Sequence, residues 1–179
     1  PIPSSIEKFN LDITLSNTIK VLYNDNDKAL KKIYDYFSEV DEIWHAGDIG
    51  HVDVYDQLNK FKPLRAVYGN IDNAIIRRIC PLHQKFTCEQ VTVWITHIGG
   101  YPNRYAPNIK EALQKNPPQL FISGHSHILK VMYDKKLNLL HMNPGAVGKH
   151  GFHQIKTMLR FTIEGKEIKE LEVIELGKR

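Results

Sequence analysis

Apolar residues recur along this chain in two periods, and each change of period marks a change of element. Leu11, Ile13 and Leu15 alternate with polar neighbours, as on a strand with one buried face. A second apolar stretch, Ile19–Tyr23, runs into Asn24-Asp25-Asn26-Asp27. Beyond it Leu30, Ile33, Tyr34 and Phe37 fall at helical spacing, with Asp27 as the capping residue. Ile43-Trp44 form the next strand core, closing on His45-Ala46-Gly47-Asp48. Val54, Tyr55, Leu58 and Phe61 predict an amphipathic helix stopped by Pro63, and Leu64–Tyr68 a strand ending in Gly69-Asn70-Ile71-Asp72.

Hairpins then replace helices. Gln84–Cys88 and Val91–Thr96 predict paired strands turning at Glu89-Gln90, the second ending on His97. The loop Gly99-Gly100-Tyr101-Pro102 precedes a short helix carrying Ile109, Ala112 and Leu113. Leu120, Phe121 and Ile122 read as a buried strand, and Ile128–Tyr133 with Leu137–His141 as a hairpin. Asn143-Pro144-Gly145-Ala146 is a tight turn, and Thr157–Ile163 and Ile168–Ile174 close the chain as strands. A β-α-β-α-β order followed by antiparallel strands predicts an α/β sandwich with helices on its outer faces.

Composition narrows the reading without redirecting it. At 179 residues, 42% hydrophobic and 25% charged, the chain is expected to form one domain, residues 1–179. Residues 1–18 are hard to place and read as a divergent N-terminal extension. With no apolar run of about 18 residues, no spanning helix or membrane partner is expected. Pro1–Ser5 has neither the basic region nor the apolar core of a secretory signal, which points to the cytoplasm. A net charge of +4, evenly spread, is too weak for specific nucleic-acid binding. Cys80 and Cys88 lack metal-type spacing and read as a reduced pair.

The chemistry lies where strands stop. Four of them end in Gly47-Asp48, Gly69-Asn70, Thr96-His97 and Gly124-His125-Ser126-His127. Ligands of open α/β sheets gather beyond the carboxyl ends of the strands. His125 and His127, two positions apart on extended chain, project the same way. A carboxylate, an amide oxygen and imidazoles make a mixed oxygen and nitrogen shell, better suited to Mn²⁺, Fe or Zn²⁺ than to Mg²⁺ or Ca²⁺. His45 reads as a packed residue and His83 as a surface one. His141, His150 and His153 flank the Asn-Pro-Gly turn, Tyr101 and Arg104 read as simple loop residues as readily as substrate contacts, and Glu164–Arg179 reads as a solvated edge.

This ordered set of motifs, completed by Asn143-Pro144-Gly145-Ala146, resembles the calcineurin-like metallophosphoesterases. Within them it is similar to the small phosphodiesterases related to the retromer scaffold subunit, over roughly residues 19–175. The resemblance implies the metallophosphoesterase fold, a four-layer αββα sandwich with mixed sheets and helices on the outer faces. It implies a metal-dependent phosphoesterase, most simply a phosphodiesterase using water as nucleophile, acting on a phosphoester small molecule or nucleotide. Asp48 would bridge two divalent ions (Mn, Fe or Zn) and, with Asn70, stand closest to the chemistry. Asn70, His97 and His125 would complete one site and His127 would serve the other, with self-association left open.

Two departures bear on that expectation. The family opens with Asp-x-His after its first strand, and this chain has no such motif. One alignment uses Leu15-Ser16-Asn17-Thr18-Ile19 and replaces the carboxylate by an amide and the imidazole by an alkyl chain, which leaves the second metal site weak. The other aligns Ile19–Tyr23 with the first strand and puts Asp25 and Asp27 at the ligand positions. It is preferred here because it runs into the Asp27 helix without an insertion. The second departure is Ile71, where many relatives carry a histidine able to protonate the leaving group. Isoleucine cannot, so a nearby group such as His51, a bound water, or nothing takes that role, and good leaving groups are favoured. The rival reading is a catalytically weakened scaffold that keeps the fold for protein–protein contacts.

Overall fold

Two five-stranded sheets face each other across the middle of the protein. The computed structural model describes residues 33–148, 151 and 153–178, and the backbone of residues 9–15. The first sheet contains β1 (Phe9–Leu15), β2 (Glu42–His45), β3 (Leu64–Ala66), β11 (Ile155–Glu164) and β12 (Glu167–Lys178), in the order β12-β11-β1-β2-β3. The second contains β4 (His83–Cys88), β5 (Val91–Thr96), β8 (Leu120–Ser123), β9 (Lys130–Asp134) and β10 (Leu139–Asn143), in the order β4-β5-β8-β10-β9. A two-stranded ribbon, β6 (Gly100–Tyr101) with β7 (Arg104–Tyr105), stands apart from both.

The period-2 alternation of side chains explains the layering. Trp44, Val93, Ile95, Leu120, Ile122, Met142 and Phe161 point between the sheets and form one buried core. Their strand neighbours point outward, where helices cover them. Ile43, Met158 and Ile174 pack with Val54 and Leu58 of α1 (Val52–Phe61), with Ile76 of α2 (Ala74–Ile79), and with Ile33 and Phe37. Trp94 and Phe121 pack on the other outer face against Ile109 and Leu113 of α3 (Pro107–Lys115). Helix, sheet, sheet and helix make the expected four layers, and the sheets are mixed. β12 is the charged edge strand anticipated from the sequence, with only Ile174 and Leu176 buried.

Strand direction is what prepares the site. β1, β2 and β3 run parallel to one another, as do β5, β8 and β10. The segments that leave β2, β3, β5 and β8 therefore emerge at common edges.

The strand beside β2 is the alternating segment read at the start of the chain. It is Phe9–Leu15, which pairs with β11 on one side and β2 on the other, while Ile19–Tyr23 lies outside the described residues. Backbone pairing on both sides makes this a central strand, a status that alternation along the sequence cannot reveal. Asn17, Asp25 and Asp27 lie outside the described residues. Two elements were also absent from the sequence reading: the β6–β7 ribbon and helix α2, six residues that begin at the Asn73 cap.

Candidate metal centre

Each strand end delivers its polar side chain through a backbone kink. Beyond β2, Gly47 (φ +92°) and Asp48 (φ +59°) turn left-handed and bring the Asp48 carboxyl back over the sheet edge. His125 and His127 also have positive φ, 65° and 58°. Such conformations cost of order 1 kcal/mol or more outside glycine and concentrate at functional sites. Gly47 and Gly69 give the space: a Cβ on Gly47 would strike the His97 ring, and one on Gly69 would strike Asp48.

Four of the expected residues converge. His97 Nε2 lies 3.2 Å from Asp48 Oδ1 and 3.0 Å from Asn70 Oδ1, and His125 Nδ1 lies 2.9 Å from that same amide oxygen. The ligand atoms of Asp48, His97 and His125 all fall within 4.8 Å of one another. Asp48 and His97 are buried, while Asn70 and His125 are exposed, so the cluster is open on one side.

The proton inventory indicates what the cluster fits. His97 Nδ1 is 2.7 Å from the Ala46 carbonyl, which can only accept, so Nδ1 carries the proton. The Nε2 corner then faces two oxygens, and either a proton there, donated to Asp48, or a metal ion in its place satisfies the contact. A backbone carbonyl holding the far nitrogen is the usual support of a metal-bound imidazole. The donor set fits a divalent ion with mixed nitrogen and oxygen preference.

Electrostatics agree in direction. Burial alone would raise the Asp48 carboxyl, but the hydrogen bond and charge of His97, the Ile71 N–H and the charge of His127 hold it below the usual value. Burial, reinforced by His97, pushes His125 down despite Asp48. Both shifts favour the deprotonated, ligating forms.

His127 stands to one side. Its ring lies edge-on to His153, with centroids 5.7 Å apart, and a Cβ on Gly151 would come within 1.9 Å of its Nδ1. It is close enough for its charge to act on Asp48 but is not part of the tight group. His51, the alternative acid, is exposed and caps α1, its Nδ1 accepting from the Asp53 N–H at 3.3 Å. Ile71 is 52% exposed.

Supporting residues were legible as motif letters but not as roles. The Asp72 carboxylate accepts from the Gly50 and Gly69 N–H groups, both at 2.7 Å, and so ties the loop after β2 to the loop after β3. Asn143 Nδ2 donates to the Gly124 carbonyl at 2.9 Å and to Ser126 Oγ at 3.0 Å, fixing the segment that carries His125 and His127. His45 is packed, as expected: its Nδ1 accepts from the Gly47 N–H, and burial lowers it to about 4 despite Asp72 and Asp48. His83 is only partly at the surface, where the sequence reads it as a surface residue. It is half-buried edge-on to Trp94, with Nδ1 2.9 Å from Thr96 Oγ1, because register pairs it with Thr96 across the hairpin. His141 is fully buried and cannot line a cleft.

A family model described as the calcineurin-like phosphoesterase superfamily domain matches residues 24–166. A probable metallophosphoesterase of Methanothermobacter thermautotrophicus is 28% identical over 147 residues, 81% of each chain. Among solved structures, an archaeal phosphodiesterase superposes with a TM-score of 0.67 at 20% identity, covering 94% of this chain and 99% of its own. Vps29 of Chaetomium thermophilum superposes with a TM-score of 0.65 at 13% identity, covering 96% of each chain. At these identities the two structures speak for the fold alone.

Proposed function

The chain belongs to the calcineurin-like phosphoesterase superfamily, and from that premise we propose that it is a metal-dependent phosphodiesterase with water as nucleophile. The observation that carries this reading is the convergence of Asp48, Asn70, His97 and His125 on one point open to solvent on one side, with His97 oriented through Ala46. A divalent ion held there (Mn²⁺, Fe or Zn²⁺) would polarise a phosphoryl oxygen and acidify a bound water. Asp48 supplies the negative charge that holds the cation, and its Ile71 hydrogen bond keeps the carboxyl aimed. Asn70 adds a neutral oxygen from the second loop, which leaves the site less anionic and more receptive to phosphate. Ile71 offers no proton to a leaving alkoxide, so esters with acidic alcohols are the better substrates.

The first motif decides how many ions bind. β1 ends at the same edge as β2, with Leu15 paired to His45, and the sequence continues through Ser16 to Asn17. This supports the Asn17 alignment, with one firm site and a weak second one that includes His127. The Asp25/Asp27 alignment requires two firm sites. Metal analysis of the loaded protein separates them: about one ion per chain supports Asn17, and about two supports Asp25 and Asp27.

The activity itself is tested with bis-p-nitrophenyl phosphate. Hydrolysis should be stimulated by Mn²⁺, abolished by chelation, and lost in Asp48→Asn. Absence of turnover with both Mn²⁺ and Zn²⁺ would leave the scaffold reading, which the exposed apolar side chains beside the cluster, Ile71, Ile75 and Ile98, would then serve.

A further inference from the structure

A cleft of about 380 Å³ adjoins the cluster and shares Asn70 and His97 with it. Its other walls are mainly rings and aliphatic side chains: Tyr68, His83, Leu82, Ile98 and Ile109. Leu82 and Ile98 are 46% and 48% exposed at its mouth. Isolated apolar side chains on a surface need no explanation, but several of them rimming a concave space beside a polar cluster mark a ligand site. Arg77 supplies the one cationic wall. Its guanidinium sits 4.8 Å from the centroid of the Tyr68 ring and is held by the Asp72, Gly69 and Asn70 carbonyls. Both are thereby fixed in place before any ligand arrives.

A phosphodiester drawn to a cation held by Asp48, Asn70 and His97 would carry two organic groups, and one of them would have to extend away from the cluster. A hydrated alkyl group such as methyl gains little from an apolar cleft of this size, whereas a flat ring removes apolar area from water on both faces. Resting on the phosphodiesterase reading, we infer that this cleft is the specificity site for a ring-bearing ester group, an aryl or nucleoside substituent on the phosphate. Leu82 and Ile98 close over the ring at the mouth, and Tyr68 and His83 form its inner walls. The fixed pair of Tyr68 and Arg77 positions Asn70 at the boundary between cleft and cluster.

The test keeps the leaving group constant, so that differences report only the retained group. Mn²⁺-loaded protein is assayed with methyl p-nitrophenyl phosphate, bis-p-nitrophenyl phosphate and thymidine 5′-p-nitrophenyl phosphate. The expected result is a kcat/KM at least about tenfold higher for one or both ring esters, the range that a buried apolar group gives in enzyme specificity. The aryl and thymidine arms show which ring is preferred. In Ile98→Asn and in Leu82→Asn the ratio of ring ester to methyl ester should fall towards one. Ile75→Asn, equally exposed but outside the cleft, should keep it. A wild-type ratio near one, or a ratio preserved in both cleft variants, overturns the inference. If no ester is hydrolysed, the functional reading fails and the cleft is tested by binding. Calorimetry with thymidine 5′-monophosphate and methyl phosphate then upholds it if the nucleotide binds at least about tenfold tighter and Ile98→Asn removes the difference. Equal affinities reject it.

Discussion

A methyl group at residue 69 would lie 2.0 Å from Asp48 Oδ1 and 2.3 Å from the Asp48 backbone nitrogen, closer than any real contact. Backbone cannot yield as a flexible side chain can, so Gly69→Ala should displace Asp48 from the cluster. Mn²⁺ affinity measured by calorimetry is expected to fall tenfold or more, with a lower Tm. Asp72 presents a different case, since its two oxygens each accept one N–H, that of Gly69 buried and that of Gly50 partly so. Asp72→Asn would aim a donor at one of those N–H groups, leaving it unsatisfied at about 1–3 kcal/mol. Urea unfolding should show that loss, and metal affinity should weaken with it because the Gly69 loop is then untied. A metal affinity unchanged in both variants would contradict the role given to this loop.

At the scale of elements, α2 is too short to hold together by helix propensity. It depends on Asn73, whose Oδ1 accepts from the Ile75 and Ile76 N–H groups, and on Ile76 in the core. The sequence contains that cap, but six residues present too little periodicity to set a helix apart from a loop. Asn73→Ala should cost about 1 kcal/mol, read as a Tm drop of about 2–4 °C for a chain of this size. The same change should raise KM, because α2 carries Arg77, which grips the Asn70 carbonyl at 3.0 Å. The hairpin β4–β5 was legible to within one residue, since its alternation and its Glu89-Gln90 turn are local. The placement of His83 within it was not, because its partner Trp94 is reached only across the strand pair.

For the molecule as a whole, the core between β8, β10 and the β6–β7 ribbon ties stability to pH. His141 donates through Nε2 to the Gly100 carbonyl at 3.0 Å, and its buried Nδ1 has no partner among the described residues. Protonating Nδ1 would bury a charge without a hydrogen bond. Burial therefore lowers His141 from 6.5 to about 4, outweighing the Gly100 carbonyl and Asp134 and aided by Lys130. The unfolded chain binds a proton below about pH 6.5 that the folded one refuses until about pH 4. The stabilisation is thus complete above the unfolded value and is lost as pH falls towards the folded one. Between pH 7 and pH 5 the loss from this group should be roughly 2 kcal/mol. His141→Gln keeps the donor to Gly100 and should flatten the pH dependence of the urea midpoint. Equal slopes in the two proteins would remove His141 as the cause.

The sequence by itself determined the alternation that builds both sheets, the order of the sheet strands and long helices apart from the β6–β7 ribbon, and the motifs from Asp48 to His127. All of these depend on residues within a turn or a strand of one another. Only the tertiary structure decided which strand lies beside β2, that His127 stands apart from the tight group, that Asp72 and Asn143 are the braces of the loops, and that a cleft opens next to Asn70 and His97. Each of these joins segments tens of residues apart. A strand pairing, a shared acceptor or an enclosed volume is a property of surfaces brought together, and no periodicity along one segment encodes its neighbour.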